Sequence, residues 1–518
     1  MSTTAAANSG FQLGAGDITI TLPSEKSLLY IITAIFFVLA LNVLRPDGSK
    51  LPHFNPRKPF EFTDFRRIKE FMEHGIEMTK EAKLKYGDNP YRMFTAEGDV
   101  VVLPSRYTNE IAAAANTQVD SSERGQDDTH NYIPGYEPFD FPTQEIVAVI
   151  NRHLTKVLGK LTPALSFEAQ EAIRDAFTEN REWHEINPSE LVLPMVSRVS
   201  SRIFMGEQMC RNKDWVAESS KYAALSFGVG HILRGLPRFT RPIVHWFMPG
   251  AWAVRRQLNV CRKMLAPVVA NRKAQIAQAV ADGREPPVFD DAMSWFEGIF
   301  PTGYDPAVSQ ITLSVLAIHT TSDLLLHTMV TMAQHPEIFE PMREEVRQVL
   351  GSETCIKKTA LYDMKLMDSV FKECQRVKPI LIWPIRRQAK QDIKLSDGFV
   401  IRKGEKINLD ITGIWDPEVF ENANEFDPYR YVRWRETPGL ERRAQLVMTS
   451  PEMPLFGHGP HACPGRFFAA NEVKIMMTYL LLHYEWKLAP GCSGNPLFVG
   501  STPVPDPTTR LLIRKLDN

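Results

Sequence analysis

Three kinds of apolar spacing recur along the chain, and each predicts a different element. From Phe65 to Tyr86 and from Ala251 to Ala281 apolar residues return every three or four positions, the repeat of an amphipathic helix lying on a core. From about Pro306 to Gln334 apolar residues occupy nearly every face, which predicts a helix passing through a large interior, with Asp305 and Pro306 at its start and His335 and Pro336 at its end. Short β-like runs stand at Val100 to Leu103, Ile393 to Leu395 and Lys406 to Leu409, and turn residues such as Ser396, Asp397 and Gly398 punctuate the later half. The pattern beyond residue 60 is mainly α with small β-sheets, in one continuous domain without repeats.

A fourth run differs in kind. Ser27 to Leu44 carries no charge and is rich in Leu, Ile, Phe, Val and Ala. As a helix it would cover roughly 27 Å, enough to span hydrocarbon. Arg45, Lys50, Arg57 and Lys58 follow it, whereas only Lys26 stands close before it, so the positive-inside rule places the bulk of the chain in the cytoplasm. A cleaved signal peptide or a buried helix are the other readings. The start lacks a basic region and a small-residue cleavage site, which favours an anchor. The chain is then expected to divide into a lumenal segment (1–26), a transmembrane anchor in the lipid bilayer (27–44), a Pro-rich hinge (45–62) and a main domain (63–518). Phe54, Phe60 and Phe62 are candidates for resting on the membrane surface.

Composition narrows the function classes. Lys plus Arg (60) balances Asp plus Glu (61), so no basic field exists to attract nucleic acid. The six cysteines are scattered without a Cys-x-x-Cys pair, which argues against a structural zinc site or a disulfide framework. No Gly-x-Gly-x-x-Gly follows a strand, so a nicotinamide or flavin would not be held by this chain.

The densest chemical signal is Phe456, Gly457, His458, Gly459, Pro460, His461, Ala462, Cys463, Pro464, Gly465, leading into an apolar helix from about Arg466. A sulfur at the start of a helix meets free backbone N–H groups and the positive end of the helix dipole, both of which favour a thiolate. A buried structural cysteine beside a Gly-rich turn is the plainer reading of such a residue. Upstream, Glu373 and Arg376 share a helix face among Val370, Phe371 and Val377, where paired charges would be buried.

The loop resembles the cysteine-ligand loop of the cytochrome P-450 superfamily, Phe-x-x-Gly-x-basic-x-Cys-x-Gly, at every defined position. The resemblance implies the fold of that superfamily, haem b as cofactor, Cys463 as its axial metal ligand, Phe456 and Gly457 around the sulfur, and His461 on a haem propionate. It also implies Arg386 or Arg387 as a further propionate ligand. No Trp-x-x-x-Arg occurs where the family often has one, leaving Arg152 and His153 as substitutes. Glu373 and Arg376 match the superfamily's Glu-x-x-Arg element, and Arg430 stands where a third, structural member belongs. Ala317, Ile318, His319, Thr320, Thr321, Ser322 resembles the family's oxygen-groove motif, with Thr321 as its proton-delivering threonine. Two positions depart: Ile318 replaces Gly, and Thr320 replaces the usual acid, so His319, Thr320 or ordered water would have to relay protons. This variant is similar to filamentous-fungal members related to gibberellin-pathway kaurene oxidases.

By the same resemblance the chain is expected to oxygenate a lipophilic substrate, as a tailoring step on a terpenoid or polyketide. NADPH would supply electrons through a membrane-bound reductase carrying FAD and FMN, docked on a face that includes Arg433, Arg435, Arg442, Arg443 and Arg466. The expected location is the endoplasmic reticulum membrane, single-pass, with the catalytic domain facing the cytoplasm. Pocket walls are expected from Ile311 to Thr321, Ile380 to Trp383 and Phe498 to Thr502. A haem-thiolate isomerase or dehydratase needing no external electrons, and a non-catalytic membrane-tethered haem protein, are the alternatives.

Overall fold

The structure, a computed structural model, describes residue 33 and residues 51–517, apart from 62, 115–116, 141–142, 301–303 and 353–355. The expected anchor therefore lies, residue 33 aside, outside the described residues.

The long apolar pattern folds as the central rod. The Asp305 carboxylate accepts from the backbone N–H groups of Ala307 (3.0 Å) and Val308 (3.3 Å), and Pro306 occupies the first turn, where its missing N–H costs nothing. The rod runs as α-helix over Pro306–Leu313, loosens into one i→i+5 turn over Ser314–Ile318, and resumes as α-helix over His319–Gln334. It is long and apolar enough to cross a membrane, yet most of it is buried inside the protein, as a core helix should be. Helices Pro188–Phe204, Lys365–Val377 and Arg466–His483 pack against it, Leu158–Phe177 packs on the first and last of these, and their apolar faces merge in one core. Phe65–Tyr86 forms the predicted amphipathic helix, and Pro249–Ala281 begins two residues earlier than its pattern, at a proline suited to a helix start.

The main sheet takes its strands from both halves of the chain: β1 (Tyr91–Thr95), β2 (Gly98–Leu103), β3 (Val119–Asp120), β4 (Arg386–Ala389) and β5 (Lys406–Leu409), in the order β1-β2-β5-β4-β3. Only β2 and β5 run parallel. This arrangement carries Arg387 to the side of the cysteine loop.

The Pro-rich segment is tied to this sheet from Pro52 onward. Phe54 N–H donates to Arg92 O (2.8 Å), Arg92 N–H donates to Pro52 O (2.9 Å), and the Asn55 side chain exchanges two bonds with the Phe94 backbone (2.8 and 2.7 Å). Phe54 packs inward against the cluster that holds Phe71 and Trp383, while Phe60 is 85% exposed. Of the aromatics expected on a membrane surface, Phe54 is thus committed to the body.

Candidate active site

The cysteine loop is built from its own backbone. Cys463 N–H donates to Phe456 O (2.7 Å), Gly457 N–H to Pro454 O (2.8 Å) and Ala462 N–H to Gly459 O (3.1 Å), closing the loop on itself. Gly457 (φ 72°) and Gly459 (φ 67°) hold left-handed conformations, and a Cβ on them would press against His461 O at 3.1 Å and Ala112 O at 3.2 Å. Gly465 has an ordinary φ of −83°, so its backbone alone does not demand glycine.

Helix Arg466–His483 starts directly after the loop. The backbone N–H groups of Gly465 and Arg466 point at the Cys463 sulfur and, with the Arg466 charge, pull its pKa down. Burial pushes it up and prevails. Cys463 nevertheless has exposed surface. Crowded surroundings together with accessible surface describe a side chain on the wall of an internal hollow.

On that wall His461 and Arg387 sit close enough for the guanidinium charge to depress the imidazole pKa, though burial is the larger cause. Arg387 is 4% exposed, its Nε has no partner, and one of its terminal nitrogens donates only to Arg386 O (2.9 Å). Burial lowers its pKa to about 10, with only Asp120 opposing. A buried guanidinium left without a carboxylate of its own is costly. An anionic partner, such as a haem propionate, would fit it, and a thiol held by N–H groups would fit the iron. Replacing Arg387 with methionine should weaken haemin binding to apoprotein about ten- to hundredfold, the worth of a charge-assisted hydrogen bond. The apoprotein itself should become no less stable to urea. Unchanged haemin affinity would remove Arg387 from the site.

Arg124 escaped the sequence reading. It is 1% exposed, pairs with Asp128 (2.6 Å), and donates to Arg387 O and to Asn408 Oδ1 (both 3.3 Å), bracing the strand that carries Arg387. The i,i+4 Arg–Asp spacing was its only signal. The substitutes Arg152 and His153 are not drawn into this cluster: Arg152 is exposed, and His153 stacks on Trp295 with centroids 5.0 Å apart.

Behind the loop, Glu373, Arg376 and Arg430 come together. Glu373 accepts from Arg376 (2.9 and 2.7 Å) and from Arg430 Nε (3.1 Å to each oxygen). The remaining Arg376 donors go to Ile414 O (2.7 Å), Ala423 O (2.6 Å) and Glu425 O (3.0 Å), and Arg430 reaches Glu421 O (2.6 Å). The Glu373 and Arg376 side chains are fully buried.

On the central rod the oxygen-groove motif is turned by the i→i+5 turn just before it. Thr320 lies on an open face with Leu316, while Thr321 is 3% exposed on the packed side. Thr320 Oγ1 bonds back to Leu316 O (3.1 Å), and Ser322 Oγ to Ile318 O (2.7 Å). His319 is half-buried, its Nε2 has no partner, and burial lowers its pKa.

The expected pocket walls divide. Leu316, Phe498 and Val499 are exposed and Ile380 and Leu381 partly so, but Ile382 and Trp383 belong to the core beneath Phe65–Tyr86, where Trp383 stacks on Phe71 at 5.8 Å. In the expected docking face, Arg433 pairs with Asp427, Arg435 with Asp368 (2.6 Å) and Arg443 with Glu452 (2.6 Å), and Arg466 donates to Cys463 O (2.7 Å). Arg442 is exposed and makes no ion pair among the described residues.

Comparison with known proteins gives the family. The family model for cytochrome P-450 matches residues 148–502. The chain is similar to the cytochrome P-450 monooxygenase eqxH of Fusarium heterosporum, 42% identical over 96% of this chain and 97% of that protein. It is also similar to the dihydromonacolin L monooxygenase mokC of Monascus pilosus, 34% identical over 96% and 94%. Among solved structures, the retinoic-acid-bound cyanobacterial CYP120A1 shares its fold with a TM-score of 0.67, at 20% identity, over 90% of this chain and 99% of that one.

Proposed function

The chain belongs to the cytochrome P-450 family and is one of its monooxygenases, and from that premise we propose that it transfers one atom of dioxygen to a lipophilic substrate as a tailoring step on a terpenoid or polyketide. The observation that carries the reading is the Cys463 sulfur, met by two backbone N–H groups at the start of a helix and accessible from a hollow. When bound, a haem supplies the chemistry of dioxygen reduction, and electron donation from the thiolate favours O–O cleavage.

The chain's own residues do the rest. The N–H groups of Gly465 and Arg466 hold the sulfur's negative charge, and a metal's charge would complete its deprotonation. Arg387 and His461 would hold the propionates of a bound haem. Leu316, Ile380, Leu381 and Phe498 offer apolar surface that orients a C–H bond and keeps water away from it. The name of the Monascus relative, which specifies dihydromonacolin L, supports a small secondary-metabolite substrate. Electrons would come from NADPH through an FAD/FMN reductase, for which Arg442, exposed and without an ion pair among the described residues, is the contact chosen from the expected face. An anchor over 27–44 would hold the enzyme on the endoplasmic reticulum membrane, its catalytic domain in the cytoplasm.

The test supplies full-length protein with NADPH, a fungal reductase and a panel of decalin polyketides and cyclic diterpenes under isotopically labelled dioxygen. One labelled oxygen per product molecule, dependent on NADPH, is the expected result. Product formed equally well without NADPH or reductase would instead establish the isomerase or dehydratase reading.

A further inference from the structure

The family's usual acid is missing at Thr320, but a carboxyl stands less than one turn further along the same helix. Asp323 follows Thr320 by three residues and His319 by four, so all three project from one face. That face is open only here. Leu316 is 44% exposed and Thr320 is exposed, while Leu313, Leu324 and His327, above and below on the same side, are each 4% exposed. A break in packing confined to mid-rod, in a helix otherwise enclosed by the core, marks an internal hollow and not the outer surface.

Asp323 has no structural task there. Fully buried carboxylates are occupied by cations, Glu373 by Arg376 and Arg430, Asp368 by Lys474 and Arg435, Glu168 by Arg198 and Arg211, and Glu472 accepts from the Ser200 hydroxyl, whereas Asp323 is half-buried on the open face. Asp323 makes no hydrogen bond or ion pair to any described residue. An unpaired carboxyl so far withdrawn from water is held toward its neutral form. We propose that Asp323 is the acid through which protons enter the site, passing them to the Thr320 hydroxyl and the free Nε2 of His319. The proposal rests on the monooxygenase reading above.

The chemistry has a place for it. Inserting one oxygen atom into a C–H bond while the other leaves as water consumes two electrons, supplied by NADPH through the reductase, and two protons from solvent. Burial raises the Asp323 carboxyl to about 7, where it can both give and regain a proton. No charged group on the elements packed against this stretch alters that. Arg198 and Arg202 of Pro188–Phe204 face Glu168 and Glu207, Lys378 is held by Thr331 and Gln334, and burial is the only cause of the shift.

The experiment compares the haem-loaded parent with Asp323→Asn and Asp323→Glu. Infrared titration of the resting enzyme should show a protonated-carboxyl band that titrates near pH 7 and is missing in Asp323→Asn. With reductase and NADPH, Asp323→Asn should lower the share of oxygen reduced to water, raise peroxide release, and slow proton-dependent turnover about a hundredfold. It should also enlarge the solvent isotope effect, with partial return in Asp323→Glu. Burial also raises Glu472, to about 8, so its band is first assigned with Glu472→Gln; a further carboxyl band titrating near pH 7 that persists in Asp323→Asn, or peroxide release and isotope effect equal to the parent's, overturns the proposal. The monooxygenase reading is judged separately, by the parent's labelled product and its reduced carbon-monoxide spectrum.

Discussion

Cys463→Ala should abolish the red-shifted thiolate-type Soret band of the reduced carbon-monoxide complex and all NADPH-dependent oxygenation, while leaving the chain folded. The loop does not depend on the sulfur for its shape. Cys463 enters the fold through its backbone, donating to Phe456 O at 2.7 Å, and the turns at Gly457 and Gly459 are fixed by main-chain bonds that alanine preserves. What the substitution removes is the one atom toward which the N–H groups of Gly465 and Arg466 converge. The measurement is the difference spectrum beside a circular-dichroism melt. A thiolate-type band surviving in Cys463→Ala would mean that another cysteine is the ligand. Three of the five rivals are poorly placed: Cys210 and Cys261 are buried, with pKa values pushed up to about 12, and burial raises Cys374 to about 11; Cys492 accepts from the Arg510 N–H (3.3 Å), and Cys355 lies outside the described residues.

The second large effect is on folding. Glu373→Ala leaves the Arg376 and Arg430 guanidiniums buried against carbonyl oxygens with no negative charge between them. Removing one partner of a buried pair costs about 3–5 kcal/mol, a sizeable part of the ~5–15 kcal/mol by which a domain is stable. Little soluble, haem-loaded protein is expected, with urea unfolding displaced to match. Arg376→Lys should fare nearly as badly, because an ammonium has three donors where Arg376 now feeds Glu373 and three carbonyls. An unfolding midpoint within a few tenths molar of the parent's would show that these charges are compensated in a way the geometry does not reveal.

Arg387 and Arg376 illustrate how differently two arginines can be read. Arg376 was legible because its partner lies three residues away on a helix face, and local spacing carries that information. Arg387 was legible only by resemblance. Its neighbours come from residues 124, 386 and 461, and nothing in the strand pattern around it reports an unpartnered Nε. Arg124 went unread for the same reason: its role depends on a sheet whose strands are contributed by distant parts of the chain.

The central rod sets the limit most clearly. Its existence, its capped start at Asp305 and its end before Pro336 follow from apolar content and from residues that favour or stop a helix. Its rotation does not. One i→i+5 turn at Ser314–Ile318 displaces every later side chain by about 100° relative to an unbroken 3.6-residue repeat. That turn helps decide that Thr320 and Asp323 share the open face while Thr321 is packed. The Pro-rich segment shows the converse error, since proline content spoke of irregular backbone and said nothing of the bonds that tie residues 52–55 to β1.

By itself the sequence determined the helical class, the central rod, the cysteine loop and the Glu373–Arg376 pair, because each is encoded in contiguous residues through periodicity, capping or main-chain turns. The tertiary structure alone decided that Arg387 meets His461 beside the cysteine loop, which arginines are already spent in ion pairs, and which face of the rod is left open. Those depend on distant segments packing together and on the phase of one helix, and no local spacing specifies either.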